Sequence, residues 1–170
     1  MRYAKLMKND IVDTDKGINV SIWLQGCPFH CIGCHNPETW DFNGGIEIKE
    51  NLLLDNIYKA LIAYNIKRNL SILGGEPLCK QNLKFTKKLI KFIKKKLPDI
   101  KIYLWTGFDF ESLSENKEYK FILDNVDILI TGPYIQAKRD ITLHLRGSSN
   151  QQVWRRASNN KLVLEKHISK

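Results

Sequence analysis

Apolar segments with the length and composition of β-strands alternate with helical segments along most of this sequence. The strand-like segments are apolar and most are rich in Ile, Val or Trp, which favour extended structure. The predicted strands are Asn19–Gln25, Leu70–Leu73, Ile100–Trp105 and Val126–Ile130. The predicted helices lie near Glu50–Asn65, Gln81–Leu97 and Phe110–Leu123. This alternation predicts an α/β fold whose strands are mostly parallel.

The length of the chain limits how such a sheet can close. A complete (β/α)₈ barrel needs roughly 250 residues, whereas the chain has 170. No internal repeat or Pro/Gly/Ser-rich linker divides it, so we expect a single domain over residues 1–170 and a partial, open barrel. Three segments near the end could each be a short strand or an extended arm: Ile141–Arg146, Gln151–Arg155 and Leu162–Glu165.

The sequence is basic, with 27 Lys and Arg residues, 18 Asp and Glu residues and a formal net charge of +9. Bidentate recognition of phosphate or guanine favours arginine, but only six of the basic residues are arginines. In Gln81–Leu97 apolar residues cover one half of a helical wheel and lysines the other, the pattern of a solvated outer helix. We therefore expect no nucleic-acid partner.

Membrane insertion and secretion are not expected either. No apolar stretch approaches the roughly 18 residues that a membrane span requires. Charged residues interrupt Met1–Asp10, where a signal peptide would have its apolar region. The sequence therefore predicts a cytoplasmic protein.

Three of the four cysteines lie within eight residues of each other. Cys27, Cys31 and Cys34 form a C-x3-C-x2-C pattern directly after the first predicted strand, where α/β folds place functional loops. This clustering favours a metal site over a disulfide framework. Zinc could use the three thiolates together with His30 or His35. An iron–sulfur cube bound by only three cysteines would instead keep one iron open for catalysis.

The fourth cysteine is separated from this cluster of three. Cys79 lies 45 residues beyond Cys34, at the start of the lysine-rich helix. Free cysteines commonly pack as small hydrophobic side chains. We therefore expect Cys79 to be buried and not to be a ligand.

The cysteine pattern is followed some forty residues later by a predicted strand that ends in Gly-Gly-Glu-Pro at residues 74–77. This pairing resembles the radical S-adenosylmethionine (SAM) superfamily. The resemblance implies that Cys27, Cys31 and Cys34 hold one [4Fe–4S] cluster, whose fourth iron is chelated by the amino and carboxylate groups of SAM. One electron from the cluster would cleave SAM to methionine and a 5′-deoxyadenosyl radical. Beyond the cluster and SAM, no catalytic residue is implied.

The same resemblance implies contacts to SAM from three loops. Glycines after the strand Leu70–Leu73 permit close approach of a ligand, although a tight turn would also use them. Thr106 could donate to the SAM ribose or carboxylate, or could simply precede the next helix. The residues around the third cysteine would place backbone against the same ligand. The expected SAM-binding residues are Gly33, Cys34, His35, Gly74, Gly75, Glu76 and Thr106.

Three further segments resemble one family, the activating proteins of anaerobic (class III) ribonucleoside-triphosphate reductase. They are Asn36–Phe42, Trp105–Phe108 and Leu145–Gln151, and the similarity covers a core of about residues 11–153, followed by a tail at 154–170. The family implies a glycyl-radical activase, in which hydrogen is taken from a glycine of the large reductase subunit. A flavodoxin or ferredoxin would supply the electron, and the open side of the barrel would admit a peptide loop.

The most diagnostic of these segments is a polar sequence near the end of the core. It could dock the partner peptide or close over the ligand, although a glycine-containing turn between two strands is the simpler reading. Its residues are Arg146, Gly147, Ser148, Ser149, Asn150 and Gln151.

The sequence also departs from the family pattern. The family's Gly-Pro-Gly turn is replaced by Asp13–Ile18, and Thr131 stands where an acidic residue is common, so Thr131 receives no role. Gly33 stands where many superfamily members have an aromatic residue. Two alternatives stay open: an activase of another glycyl-radical enzyme or another small radical SAM enzyme, and a zinc- or cluster-binding module without catalysis.

Overall fold

The apolar segments of the chain form one eight-stranded sheet that carries four helices, in a computed structural model described for residues 1–165. The strands are β1 (Arg2–Asp10), β2 (Ile18–Leu24), β3 (Ile46–Glu47), β4 (Arg68–Gly74), β5 (Ile102–Trp105), β6 (Ile128–Thr131), β7 (Gln152–Arg156) and β8 (Leu162–Leu164). The helices are α1 (Glu50–Ile62), α2 (Lys80–Lys96), α3 (Phe110–Glu115) and α4 (Lys120–Asn125).

The strand order is β3-β1-β2-β4-β5-β6-β7-β8. The four central strands, β2, β4, β5 and β6, are parallel, while the strands on either side pair antiparallel. Since β3 and β8 are unpaired on their outer sides, the sheet is open. The prediction of an α/β fold is therefore confirmed, but the strands, which were predicted to be mostly parallel, are parallel only in the middle of the sheet.

The sheet extends beyond the predicted core of residues 11–153 at both ends. β1 pairs with β2 antiparallel, with register shifts between Tyr3 and Lys5 and between Met7 and Asp10. At the other end, β8 lies within the predicted tail at 154–170, and β7 overlaps the start of that tail. Residues 166–170 of that tail lie outside the described residues.

The helix predicted over Phe110–Leu123 is wrong as a single element. It divides into α3 and α4, joined by a short 3₁₀ turn at Lys117–Tyr119. Asn116 has an extended backbone conformation, and its side chain accepts a hydrogen bond from the Glu118 amide. Because this capping interaction starts a new turn, it ends the preceding helix. The helices predicted near Glu50–Asn65 and Gln81–Leu97 are confirmed as α1 and α2.

All four helices pack on one face of the sheet. Val20, Ile22 and Leu24 alternate along β2 toward that face, where they join a core built from the helices and the neighbouring strands. The lysines of α2 face outward, and two of them form ion pairs, Lys88 with Glu50 and Lys94 with Asp127. Within residues 1–165 no helix is long and apolar enough to cross a membrane.

The opposite face of the sheet holds the loop between β1 and β2. The carbonyl of Asp13 accepts hydrogen bonds from Asn19 Nδ2 (3.1 Å) and Ser71 Oγ (2.6 Å). The carboxylate of Asp15 accepts from the Tyr103 hydroxyl and, at 2.6 Å, from Arg155 Nη1. The loop between β1 and β2 thus binds several of the polar side chains on this face.

Candidate functional site

The cysteine loop follows β2 at the carboxyl end of the parallel strands. Its first residues are anchored by backbone hydrogen bonds, from the Gly26 amide to the Thr39 carbonyl (2.8 Å) and from the Cys27 amide to the Trp40 carbonyl (3.1 Å). Cys27, Cys31 and Cys34 are all partly exposed free thiols. The backbone at the start of the loop is therefore fixed, and its three cysteines are neither fully buried nor fully exposed.

Backbone amides favour the thiolate form of each of these thiols. The Asn36 amide donates to Cys34 Sγ at 3.4 Å, and the amides of Phe29 and His30 act to lower the pKa of Cys27. The amide of Tyr134, which lies in the loop after β6, acts to lower the pKa of Cys31. Amide donors to cysteine sulfur favour the thiolate and tune iron–sulfur centres.

Burial opposes ionisation of two of the thiols. It raises the pKa of Cys27 to about 11, although the Phe29 amide acts in the opposite direction. Burial also raises the pKa of Cys31, with the Tyr134 amide again opposing. Because the thiolate is the metal ligand, loading the loop with metal must release protons.

The loop after β4 lies directly against the cysteine loop. The Gly75 amide donates to the Leu24 carbonyl and the Glu76 amide donates to the Gly26 carbonyl, each at 2.8 Å. A β-carbon on Gly75 would be 2.4 Å from the carbonyl oxygen of Gly26. The two motifs that the sequence singled out are therefore adjacent, and glycine is required at 75 by this close approach.

The side chain of Glu76 is buried and links two loops. Its carboxylate accepts from the Leu78 amide (2.8 Å), from Thr106 Oγ1 (2.8 Å) and from the Gly107 amide (2.7 Å). Burial raises its pKa to about 7, although these donors act in the opposite direction. The side chains of Glu76 and Thr106 thus bind each other and fix the loop after β5 to the loop after β4.

The loop after β6 covers one side of the cysteine loop. The Tyr134 ring lies against the His35 ring, with centroids 5.3 Å apart. Gln136 approaches Gly33 so closely that a β-carbon on Gly33 would be 2.1 Å from Gln136 Oε1. No role was predicted for Tyr134 or Gln136 from the sequence, although both follow the end of a parallel strand, where such contacts are common.

The Arg146–Gln151 segment holds this covering loop in place. Gln151 donates to the Gly132 carbonyl and accepts from the Gly147 and Ser148 amides, and Asn150 donates to the Pro133 carbonyl. A β-carbon on Gly147 would lie 3.2 Å from the Tyr134 ring and 3.6 Å from His35. The segment is thus beside the cysteine loop, and its amide side chains are used within the protein.

A cavity of about 570 Å³ opens beside Cys34 and His35. Of the residues singled out in the sequence, it is lined by Cys34, His35, Arg146, Gly147 and Gln151, while the side chains of Glu76 and Thr106 point to other partners. Its other lining residues are Val12, Asp13, Asn36, Leu73, Trp105, Tyr134, Ile141, Thr142, Leu143, His144 and Leu145.

Ile141–Arg146 lines this cavity and does not form the short strand that was one of its two predicted conformations. The segment is a series of turns, and Leu145 adopts a left-handed backbone conformation with φ of 60°. The Leu145 carbonyl accepts a hydrogen bond from Trp105 Nε1 at 2.9 Å. This bond turns the segment back over the sheet, which prevents it from pairing as a strand.

Comparison with known proteins identifies the family. Residues 14–154 match the family model described as a 4Fe-4S single cluster domain. The anaerobic ribonucleoside-triphosphate reductase-activating protein of Escherichia coli (strain K12) is 34% identical over 154 residues, covering 90% of this chain and 97% of that protein. The chain therefore belongs to the anaerobic ribonucleoside-triphosphate reductase-activating protein family. The activating protein of Pasteurella multocida (strain Pm70) is 33% identical over 156 residues, covering 91% of this chain and 98% of the relative.

The relationship extends to a viral activating protein. The one from Enterobacteria phage T4 is 33% identical over 158 residues, which cover 91% of this chain and 94% of the relative. Family membership confirms the activating-protein resemblance drawn from the sequence, and the matched domain is one that carries a single [4Fe–4S] cluster.

The donor set of this family member fits a cluster better than a single ion. A structural zinc needs four ligands that converge on one point. Among residues 1–165, no three His, Cys, Asp or Glu side chains are gathered closely enough to hold one metal ion. A cubane cluster binds each cysteine at a different iron, so its thiolates do not converge on one atom. The three thiols of the cysteine loop, with their amide donors, suit that arrangement.

Neither histidine of the loop joins the thiols in a zinc-like group. His30 packs against Trp40, with ring centroids 5.0 Å apart, and His35 packs against Tyr134. Aromatic contacts of this kind position an imidazole without requiring a metal. Both side chains are therefore used to shape the cysteine loop.

One titratable residue in the cavity wall was missed by the sequence analysis. Burial, followed by the nearby Asp10 carboxylate, raises the pKa of Asp13 to about 7, with Lys5 acting in the opposite direction. Asp10 itself accepts hydrogen bonds from the Val12 and Asp13 amides. Nothing in the sequence pattern signals this, because the pairing of two carboxylates depends on how the loop after β1 folds back.

We expect Asp13→Asn to stabilise the protein at alkaline pH. Because the folded-state pKa is raised from 3.8 to about 7, the wild-type protein loses stability as the pH rises through this interval. The variant should be more stable than wild type by about 1–2 kcal/mol at about pH 8, with little difference near pH 4. Urea denaturation at both pH values measures this difference.

Asp15→Asn is expected to have the opposite effect on stability. Burial disfavours its charge, but hydrogen bonds from Tyr103 and Arg155 prevail and lower the pKa of Asp15. Its substitution should therefore destabilise the protein at about pH 8. An Asp13→Asn protein no more stable than wild type at that pH would contradict the assigned carboxylate repulsion.

Proposed function

We propose that this protein is a radical SAM activase that generates the glycyl radical of an anaerobic ribonucleotide reductase. Cys27, Cys31 and Cys34 would hold one [4Fe–4S] cluster, and SAM would occupy the adjacent cavity. The protein substrate would be the large subunit of the reductase. The central observation is that the three-thiol loop lies against the Gly74–Gly75 loop, and that Cys34 of the first loop and Leu73, which precedes the second, both line that cavity.

Family membership supports this proposal independently of the geometry. The relatives are named as activating proteins of anaerobic ribonucleoside-triphosphate reductase, and the matched domain is described by its single 4Fe-4S cluster. The α/β sheet is open at β3 and β8, as expected for a partial barrel of the radical SAM type. A cavity of about 570 Å³ also lies within the usual size range of cofactor sites.

When bound, the cluster and SAM would supply the one-electron redox chemistry that removes a hydrogen atom from the protein substrate. The contribution of the chain is binding, orientation and exclusion of water. The carbonyls of Gly74 and Gly75 would accept from the SAM ammonium, and the backbone at Gly33, Cys34 and His35 would border the same ligand. Glu76 and Thr106 would act by fixing the two loops that form this edge.

The glycine-bearing segment of the reductase would enter where the cavity opens to solvent. Val12 and Ile141 both line the cavity and are 78% and 75% exposed. Exposed apolar side chains at a cavity mouth favour contact with another protein chain. The Arg146–Gln151 segment would support this entrance by holding the loop after β6.

The proposal is tested by anaerobic reconstitution with iron and sulfide, followed by reduction with dithionite and addition of SAM. We expect 5′-deoxyadenosine, and with the large reductase subunit present we expect a glycyl-radical signal in electron paramagnetic resonance spectra. Failure to cleave SAM even with the subunit present would overturn the proposal. Cleavage without a radical on the subunit would show that the chain activates a different protein.

A further inference from the structure

The cysteine loop has a second exposed side that the cavity does not use. Cys34 and His35 line the cavity, whereas Ile32, between Cys31 and Cys34, is not among its lining residues and is 83% exposed. Gly33 is exposed as well. A large apolar side chain this exposed, located between two expected cluster ligands, favours contact with another protein at this side of the loop.

Basic residues lie next to this exposed side. Gln136, which contacts Gly33, begins a 3₁₀ turn at Gln136–Lys138. Lys138 and Arg139 are exposed, and neither forms an ion pair within residues 1–165. The adjacent Asp140 carboxylate accepts from the amide and hydroxyl of Thr142. The two cations therefore present their charge to solvent two and three residues beyond Gln136, which contacts the cysteine loop.

The turn that carries these cations is held rigidly. The Lys138 carbonyl accepts from the Ser149 amide (2.8 Å), and the Asp140 amide donates to the Gly147 carbonyl (3.1 Å). The Ile135 amide donates to the buried Ser148 hydroxyl at 3.2 Å. Ile135 is itself 37% exposed, so it adds a second apolar side chain to this side. A preorganised surface loses less entropy when a partner binds.

We propose that Ile32, Ile135, Lys138 and Arg139 form the docking face for an acidic electron-carrier protein. This inference rests on the proposed function, because a cluster that cleaves SAM must receive one electron per cleavage. In that step the reduced carrier loses one electron and the cluster gains one. Since SAM and the protein substrate would fill the cavity, the electron must enter from the other side of the cysteine loop. Exposed cations around an apolar centre suit an acidic partner.

The test is the double variant Lys138→Glu/Arg139→Glu, reduced anaerobically by flavodoxin in its two-electron-reduced form. We expect the second-order rate of cluster reduction to fall at least tenfold at low ionic strength, because opposite charges would repel the acidic carrier. The difference should shrink as salt is added. Dithionite-driven cleavage of SAM should equal that of wild type, since the small reductant does not need the docking face.

The matched control is Lys84→Glu/Lys91→Glu, which changes the net charge by the same amount on the outer face of α2. Both lysines are exposed, and we expect their rate of reduction by flavodoxin to stay within twofold of wild type. An unchanged rate in the first variant, or an equal fall in the control, would overturn the docking face. Failure of the proposed function would differ from both, because wild-type protein would then not cleave SAM even with dithionite.

Discussion

Replacing any one of Cys27, Cys31 and Cys34 with alanine is expected to abolish both cluster assembly and SAM cleavage. Three thiols are the minimum for a cube that keeps one iron open, and the partly exposed cysteine loop has no other thiol to substitute. Loss of one ligand should lower the bound iron and sulfide to background. These contents, with the visible absorbance after anaerobic reconstitution, measure the effect.

Cys79→Ala is the matched control, since it removes the remaining thiol of the chain. Cys79 is 4% exposed and precedes α2, where its carbonyl accepts from the Asn82 and Leu83 amides. Its removal leaves a small cavity, so we expect a loss of about 1–2 kcal/mol in stability with full cluster content. If folded Cys79→Ala protein failed to assemble the cluster, Cys79 would be a ligand and the three-cysteine assignment would be wrong.

The sequence predicted the central strands and the place of the site, because there the local residue pattern follows directly from the position of the segment in the sheet. The central strands are buried on both faces, so their segments, which are rich in apolar residues, stand out from the rest of the chain. The cysteine loop and the Gly74–Gly75 loop follow adjacent parallel strands, β2 and β4. Because the carboxyl ends of such strands meet at one edge, the proximity of the two motifs could be predicted before any contact was known.

The strands at the sides of the sheet were harder to predict. β1 lies next to the edge strand β3 and is mostly half-exposed, with lysines at positions 5 and 8, so it lacks the apolar signal of a central strand. Ile141–Arg146 has apolar residues suited to a strand, but the Trp105 side chain captures the Leu145 carbonyl and turns the segment away. At this segment a tertiary hydrogen bond opposes the preference of the apolar residues for a strand.

The roles of individual side chains also could not be predicted from the sequence. Glu76 and Thr106 were expected at the ligand, and the sequence did not predict that the Glu76 carboxylate accepts from the Thr106 hydroxyl and the Gly107 amide. A buried carboxylate must find donors, but which donors it finds depends on how the loops after β4 and β5 meet. The Tyr134 amide likewise acts on the pKa of Cys31 only because the loop after β6 meets the cysteine loop. Contacts between loops distant in sequence leave no periodic signal.

The second large effect is expected from Gly75→Ala. The new β-carbon would lie 2.4 Å from the carbonyl oxygen of Gly26 and 2.9 Å from its carbonyl carbon. Because these atoms belong to the backbone, no side-chain rotation can relieve the clash, and the cysteine loop must separate from the loop after β4. That separation would stretch the hydrogen bonds from Gly75 to Leu24 and from Glu76 to Gly26. We expect a loss of about 1–3 kcal/mol in stability and at least tenfold weaker SAM binding.

Gly17→Ala separates this local effect from general destabilisation. A β-carbon on Gly17 would meet nothing within 4 Å, although its φ of +83° strains any other residue. The strain should cost about 1 kcal/mol, while cluster content and SAM affinity stay at wild-type values. Both variants are compared by equilibrium dialysis with SAM at a temperature where circular dichroism shows them folded. Wild-type SAM affinity in Gly75→Ala would mean that contact between the two loops does not shape the ligand site.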